Sequence, residues 1–121
     1  MPAAENEYRV IAAWQLSYPD PMVLVRGEQV KLSGREDIWE GHRWLWAESP
    51  TGKQGWVPDS LIDTTSTPAI ARRDYTAMEL TCRASDILVA IEEIHGWIYC
   101  RAGSGDCGWV PARNLARLGP A

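Results

Sequence analysis

The string Gly-Trp-Val-Pro occurs at Gly55–Pro58 and again at Gly108–Pro111. A four-residue match containing a Trp rarely recurs by chance in 121 residues, and in both copies another Trp lies eleven residues before the Gly (Trp44 and Trp97). The matches mark an internal repeat. They constrain the chain to two small copies of one fold, and a unit of about 55–60 residues buries only about 60% of the surface its unfolded chain exposes. The seven Trp residues, in a chain without Phe, help each copy bury enough apolar area.

The first copy opens with an alternating strand at Tyr8–Ala12 and a long loop centred on Tyr18-Pro19-Asp20-Pro21, where the two prolines exclude a regular ladder. Met22–Val25 is extended, Arg26-Gly27-Glu28 turns, and Gln29–Leu32 alternates with Val30 and Leu32 on one face. Ser33–Gly41 reads as a polar loop, Arg43–Glu48 as a Trp-rich strand, and Ser49-Pro50-Thr51-Gly52 as a turn leading into Gly55–Val57. After a polar linker, Thr64–Pro68, the second copy repeats the order. Its strands fall at Ala69–Tyr75, Leu80–Cys82, Ile87–Ile91, Trp97–Arg101 and Cys107–Val110, with a loop at Glu92–Gly96. The spacing of equivalent residues shifts only in loops: 61 from Trp14 to Tyr75, 58 from Val30 to Leu88, 53 from Trp44 to Trp97. No segment has helical periodicity. The expectation is all-β, with five short strands in each of two small barrels spanning 7–63 and 69–118, joined by 64–68.

Ala71-Arg72-Arg73-Asp74-Tyr75, Glu79-Leu80-Thr81-Cys82 followed by Ser85-Asp86, Gly96-Trp97 and Gly108-Trp109-Val110-Pro111 together resemble the motifs of Src-homology-3 (SH3-like) domains of the divergent bacterial kind. Trp14, Arg26-Gly27-Glu28, Trp44 and Gly55–Pro58 are the matching residues of the first copy. The resemblance implies a tandem, non-enzymatic protein- or peptide-interaction module whose aromatic groove takes a proline-containing segment in polyproline II form. Carried over residue by residue, one groove is Trp14, Tyr18, Asp20, Trp44, Trp56 and Pro58, with Glu36 and Asp37 as further acids. The other is Tyr75, Trp97, Trp109, Pro111 and Asn114. The pattern departs from the family where its first opening Tyr is Ala12 or Arg73, and where the Tyr after the Pro is Leu61 or Asn114. Trp46 reads better as a packing residue than as a ligand contact, and Pro58 and Pro111 read better as strand ends than as ligand contacts. Ile87 and Val89 alternate away from the core and suggest a covered face, most simply a contact between the copies.

Charge narrows the partners. The net charge is −4, and residues 1–63 carry ten acids against six bases. A basic partner is therefore favoured, and nucleic acid, which needs clustered Lys and Arg, is not. No apolar run reaches the length of a membrane span, and Met1–Glu7 lacks a secretory signal, so the expectation is a cytoplasmic protein. Cys82, Cys100 and Cys107 are expected as thiols, with Cys100 and Cys107 directly or diagonally opposed on one hairpin. Neither these nor His42 and His95 converge as a metal or catalytic set, so no cofactor is expected. Two other readings of the same barrels are a peptidoglycan-binding module and a purely structural one with its Trp faces buried.

Overall fold

The computed structural model describes residues 6–118; most of the N-terminal stretch read above for a targeting signal lies outside them. Among the described residues the regular structure consists of short strands and the 3-10 turns Asp59–Leu61 and Ala112–Asn114, with no α-helix. All strands pair antiparallel. The first sheet has the order β11-β10-β9-β1-β12, built from β1 (Glu7–Val10), β9 (Ile87–Ile94), β10 (Trp97–Arg101), β11 (Cys107–Pro111) and β12 (Leu115–Arg117). The second has the order β5-β4-β3-β7-β6, from β3 (Gln29–Trp39), β4 (His42–Glu48), β5 (Gln54–Pro58), β6 (Ile62–Asp63) and β7 (Ala69–Ala71). A two-stranded ribbon joins β2 (Val23–Leu24) to β8 (Tyr75–Thr76).

The compact units do not follow the two sequence copies. One is contiguous, Asp20–Ala77; the other joins the segment ending at Pro19 to the segment starting at Met78. We call them the inserted unit and the split unit. The opening strands have changed places. β1, from the first copy, lies between β9 and β12 of the second, with Tyr8 opposite Leu88 and Val10 opposite Leu115. β7, from the second copy, lies between β3 and β6 of the first, with Val30 opposite Ala69 and Ile62 opposite Ala71. The compact units thus do not coincide with the spans 7–63 and 69–118 read from the sequence. In the inserted unit the strand in the place β1 holds in the other sheet is β7, late in the chain, and the unit interrupts the split one in sequence between Pro19 and Met78.

The two cores use corresponding positions of the sequence match: Val10, Leu80, Cys82, Leu88, Ile98, Cys100, Val110 and Leu115 in one, and Ala71, Met22, Leu24, Val30, Leu45, Ala47, Val57 and Ile62 in the other.

Local turns set the hairpins. β3 runs through to Trp39 and β9 through to Ile94, so Ser33–Gly41 and Glu92–Gly96 are largely strand where loops were expected. Each hairpin closes on a two-residue turn with positive φ at both positions, Glu40-Gly41 (52° and 81°) and His95-Gly96 (52° and 84°). That is the mirror-image turn that matches strand twist and requires a residue such as Gly at its second position. The three-residue loops after Ser49 and Ala102 agree with the expected turns: Gly52 N–H bonds Ser49 O and Gly105 N–H bonds Ala102 O, each at 2.9 Å. Pro58 and Pro111 end their strands at φ −61° and −58° and begin the two 3-10 turns.

Candidate functional site

Alternation along β10 puts Ile98 and Cys100 in the core and leaves Trp97 and Tyr99 on the other face. The register with β11 places Trp97 opposite Pro111 and Tyr99 opposite Trp109. Trp14 comes in from the N-terminal segment, where its N–H donates to Cys82 O at 3.0 Å and Cys82 N–H returns a bond to Trp14 O at 2.8 Å. This backbone bridge sets the Trp14 ring edge-on to Trp97, with centroids 5.4 Å apart and planes at 83°, the T-shaped geometry aromatic pairs prefer. Both indoles are half-buried.

Glu79 fixes the pair. Its Oε1 accepts from the Trp14 indole Nε1–H, the Ser17 N–H and the Ser17 hydroxyl, each at 3.0 Å. The equivalent of Glu79 in the inserted unit is Pro21, which cannot make these bonds. The next segment of backbone is held as firmly: Trp109 N–H donates to Met78 O at 2.9 Å and Leu80 N–H to Trp109 O at 3.0 Å. Gly108 makes this approach possible, since a Cβ there would lie 2.6 Å from the backbone of Glu79 and Leu80.

The strand exchange redistributes the expected grooves. Trp14 and Tyr18 belong to the split unit, and Tyr75 to the inserted unit, opposite Leu24. The split unit thus brings Trp14, expected in one groove, to Trp97 and Pro111, expected together in the other. Trp109 is only 7% exposed and lies 5.0 Å from Tyr99, centroid to centroid; it and the buried Pro111 serve mainly as floor. Asn114 is also buried, and its amide donates to Ala12 O at 3.1 Å and Ala13 O at 3.3 Å, so its polar group is spent on holding the opening strand. Tyr18 is 62% exposed and stands outside the aromatic pair.

In the inserted unit, Trp44 faces the buried Pro58 and Trp46 faces Trp56 across the β4–β5 ladder. Trp46 and Trp56 meet edge-on at 5.1 Å, and the Arg35 guanidinium sits over both rings, 5.0 and 5.4 Å from their centroids. Two expected ligand acids already have partners. Asp20 pairs with the Lys53 ammonium. Glu36 pairs with Arg43 at 2.7 Å, and this bond holds its carboxyl below the usual range. Asp37 is exposed on β3 opposite Trp44.

Ser17, Tyr99 and Arg35 were not singled out from sequence, and Glu79 was named only as part of a motif and not as a site residue. Tyr99 was within reach, two residues from Trp97 on the same strand face. The others depend on contacts between distant segments. The thiols are free. Cys100 opposes Gly108 and not Cys107, so the two hairpin cysteines are diagonal. Burial pushes the Cys100 thiol up to about 12 and raises Cys82 as well, the reverse of what a nucleophile needs. Among the described residues no cluster of three His, Cys, Asp or Glu is placed to hold a metal ion. No helix of the described residues is long and apolar enough to cross a membrane.

Residues 8–63 match the variant SH3 domain. An SH3-like domain is therefore present, and such domains are in general non-catalytic interaction modules. No curated protein and no solved structure shows a significant match to the chain. The matched span runs across the junction at Pro19, so family sequence order and compact unit part company at that point.

Proposed function

We propose that this chain is a non-enzymatic, duplicated SH3-like interaction protein that docks an extended, proline-containing segment of a partner protein on the Trp14–Trp97–Pro111 face. The observation that carries the reading is the edge-on Trp14–Trp97 pair held by the Glu79 carboxylate. A partner's prolines would lie against these indoles. The site is ordered before the ligand arrives and the ligand is stiff, so little conformational entropy is lost on binding. The net charge of −4 favours a segment flanked by basic residues. In the inserted unit Trp44 lies opposite the buried Pro58 as a second candidate contact, while the Trp46–Trp56 pair already carries Arg35.

Titration of the intact protein with a synthetic Pro-x-x-Pro peptide bearing a flanking Arg, followed through the indole N–H resonances, tests this. Saturable shifts at Trp14 and Trp97, lost in a folded Trp97→Ala variant and kept in Arg35→Ala, are expected. Indoles that stay put at millimolar peptide would reject the reading, and co-sedimentation with peptidoglycan would move it to the cell-wall alternative.

A further inference from the structure

The strand exchange gives the two units unequal standing. Every strand of the inserted unit lies within 20–77, whereas the split unit needs β1, whose only covalent link to the rest of that unit runs through the inserted one. The inserted unit holds its own ends together. Val23 pairs with Thr76, and Ala77 N–H donates to Met22 O at 2.9 Å. While it is folded, β1 and its trailing residues are tethered to Met78 by a short, closed connection.

We propose that the inserted unit is a folding clamp: its integrity keeps the Trp14-bearing strand docked, and its opening undocks that strand and takes the Trp14–Trp97 site apart. Unfolding it replaces a closed connection of about four residues by a flexible loop of roughly 60. Loop closure scales with the 3/2 power of length, so docking of β1 weakens roughly 50-fold. The coupling has a direction. Opening the split unit leaves every strand pair of the inserted unit intact. A signal that loosens residues 20–77 would thereby switch off a site made of other residues.

The proposal does not depend on the ligand and is tested without one, by hydrogen exchange on the full chain. Val10 and Trp14 amides, bonded to Asp86 O and Cys82 O, report β1 docking; Ala71 and Ala77 amides, bonded to Glu28 O and Met22 O, report the inserted unit. Val57→Ala hollows the inserted core, where Val57 is fully buried. In denaturant sufficient to make Ala71 and Ala77 exchange freely, protection at Val10 and Trp14 should fall roughly 50-fold relative to wild type under the same conditions. Val110→Ala, the equivalent change in the split unit, should lower protection at Val10 and Trp14 and leave Ala71 and Ala77 as in wild type. Should Val57→Ala be too mild, Val57→Asp opens the unit outright and the same amides are read. Wild-type protection at Val10 and Trp14 beside a freely exchanging inserted unit overturns the proposal. So does an equal response of both units to both variants.

Discussion

Gly55 and Gly108 occupy the same position of the repeated motif, yet the structure predicts opposite outcomes when each becomes Ala. At Gly108 the added Cβ would lie 2.6 Å from Glu79 C and Leu80 N and 2.8 Å from Glu79 O. These are backbone atoms bound on both sides, so the segment must retreat by several tenths of an ångström or more. That strains two hydrogen bonds, Trp109 N–H to Met78 O and Leu80 N–H to Trp109 O, each worth about 1 kcal/mol. Overpacking adds about 1–3 kcal/mol, and the reduced freedom of the unfolded chain returns about 0.4–1 kcal/mol. The net expectation for Gly108→Ala is a loss of about 2–3 kcal/mol. At Gly55 the nearest atom is the flexible Met22 Cε at 3.5 Å, an ordinary contact. There the entropy term stands nearly alone, so Gly55→Ala should be neutral or stabilising by up to about 1 kcal/mol. Urea titrations followed by Trp fluorescence and by far-UV circular dichroism measure both. Equal effects of the two substitutions would refute the close approach of residues 79–80 to β11.

Asn114→Leu, which installs the residue the inserted unit has at that position, should cost about 2–4 kcal/mol. It removes two bonds to the carbonyls of Ala12 and Ala13, and chemical denaturation will show it as a lower midpoint. Ser85 has φ +80° where the equivalent turn residue, Gly27, has +89°. Ser85→Gly should therefore stabilise by about 1 kcal/mol, a rise of a few degrees in Tm. Cys100 is a protonated thiol in the fold, its pKa pushed up to about 12 by burial, against about 8.5 unfolded. Its contribution is complete below about 8.5 and declines by about 1.4 kcal/mol per pH unit up to about 12, because only the unfolded chain releases the proton there. Stability measured at pH 8 and pH 10 should show the decline, and Cys100→Ala should flatten it. Cys107 should react with a thiol reagent in the native protein while the buried Cys82 and Cys100 resist.

Most strand positions and the turns after Ser49 and Ala102 were legible because they follow from local pattern, whereas Leu80–Cys82, read as a strand, forms only the isolated bridge of Cys82 to Trp14, and Ala69–Tyr75 is interrupted after Ala71. Alternation put Val30 and Leu32 on one face, of which Val30 is in the core, and Pro50 and Gly52 marked the turn between β4 and β5. The partnership of the opening strands was not legible, because β1 and β7 are equivalent in pattern and either could enter either sheet. The bonds of Asn114 to Ala12 and Ala13 and of Glu79 to Trp14 and Ser17 join segments far apart in sequence, so local pattern does not reveal them. The same exchange brought Trp14 beside Trp97 and separated it from Trp44. The Ser33–Gly41 segment was read as a loop from its polarity. Its residues are mostly exposed, so polarity carried no information about pairing, and the Glu40-Gly41 turn was the better signal.

Interstrand proton–proton contacts in the intact, monomeric protein test the strand exchange most directly. Tyr8 should show cross-strand contacts to Leu88 and Arg117, and Val10 to Leu115, while Ala71 shows them to Ile62. Contacts from Val10 to Ile62 and from Ala71 to Leu115 would mean that each copy keeps its own first strand, and the exchange would be wrong.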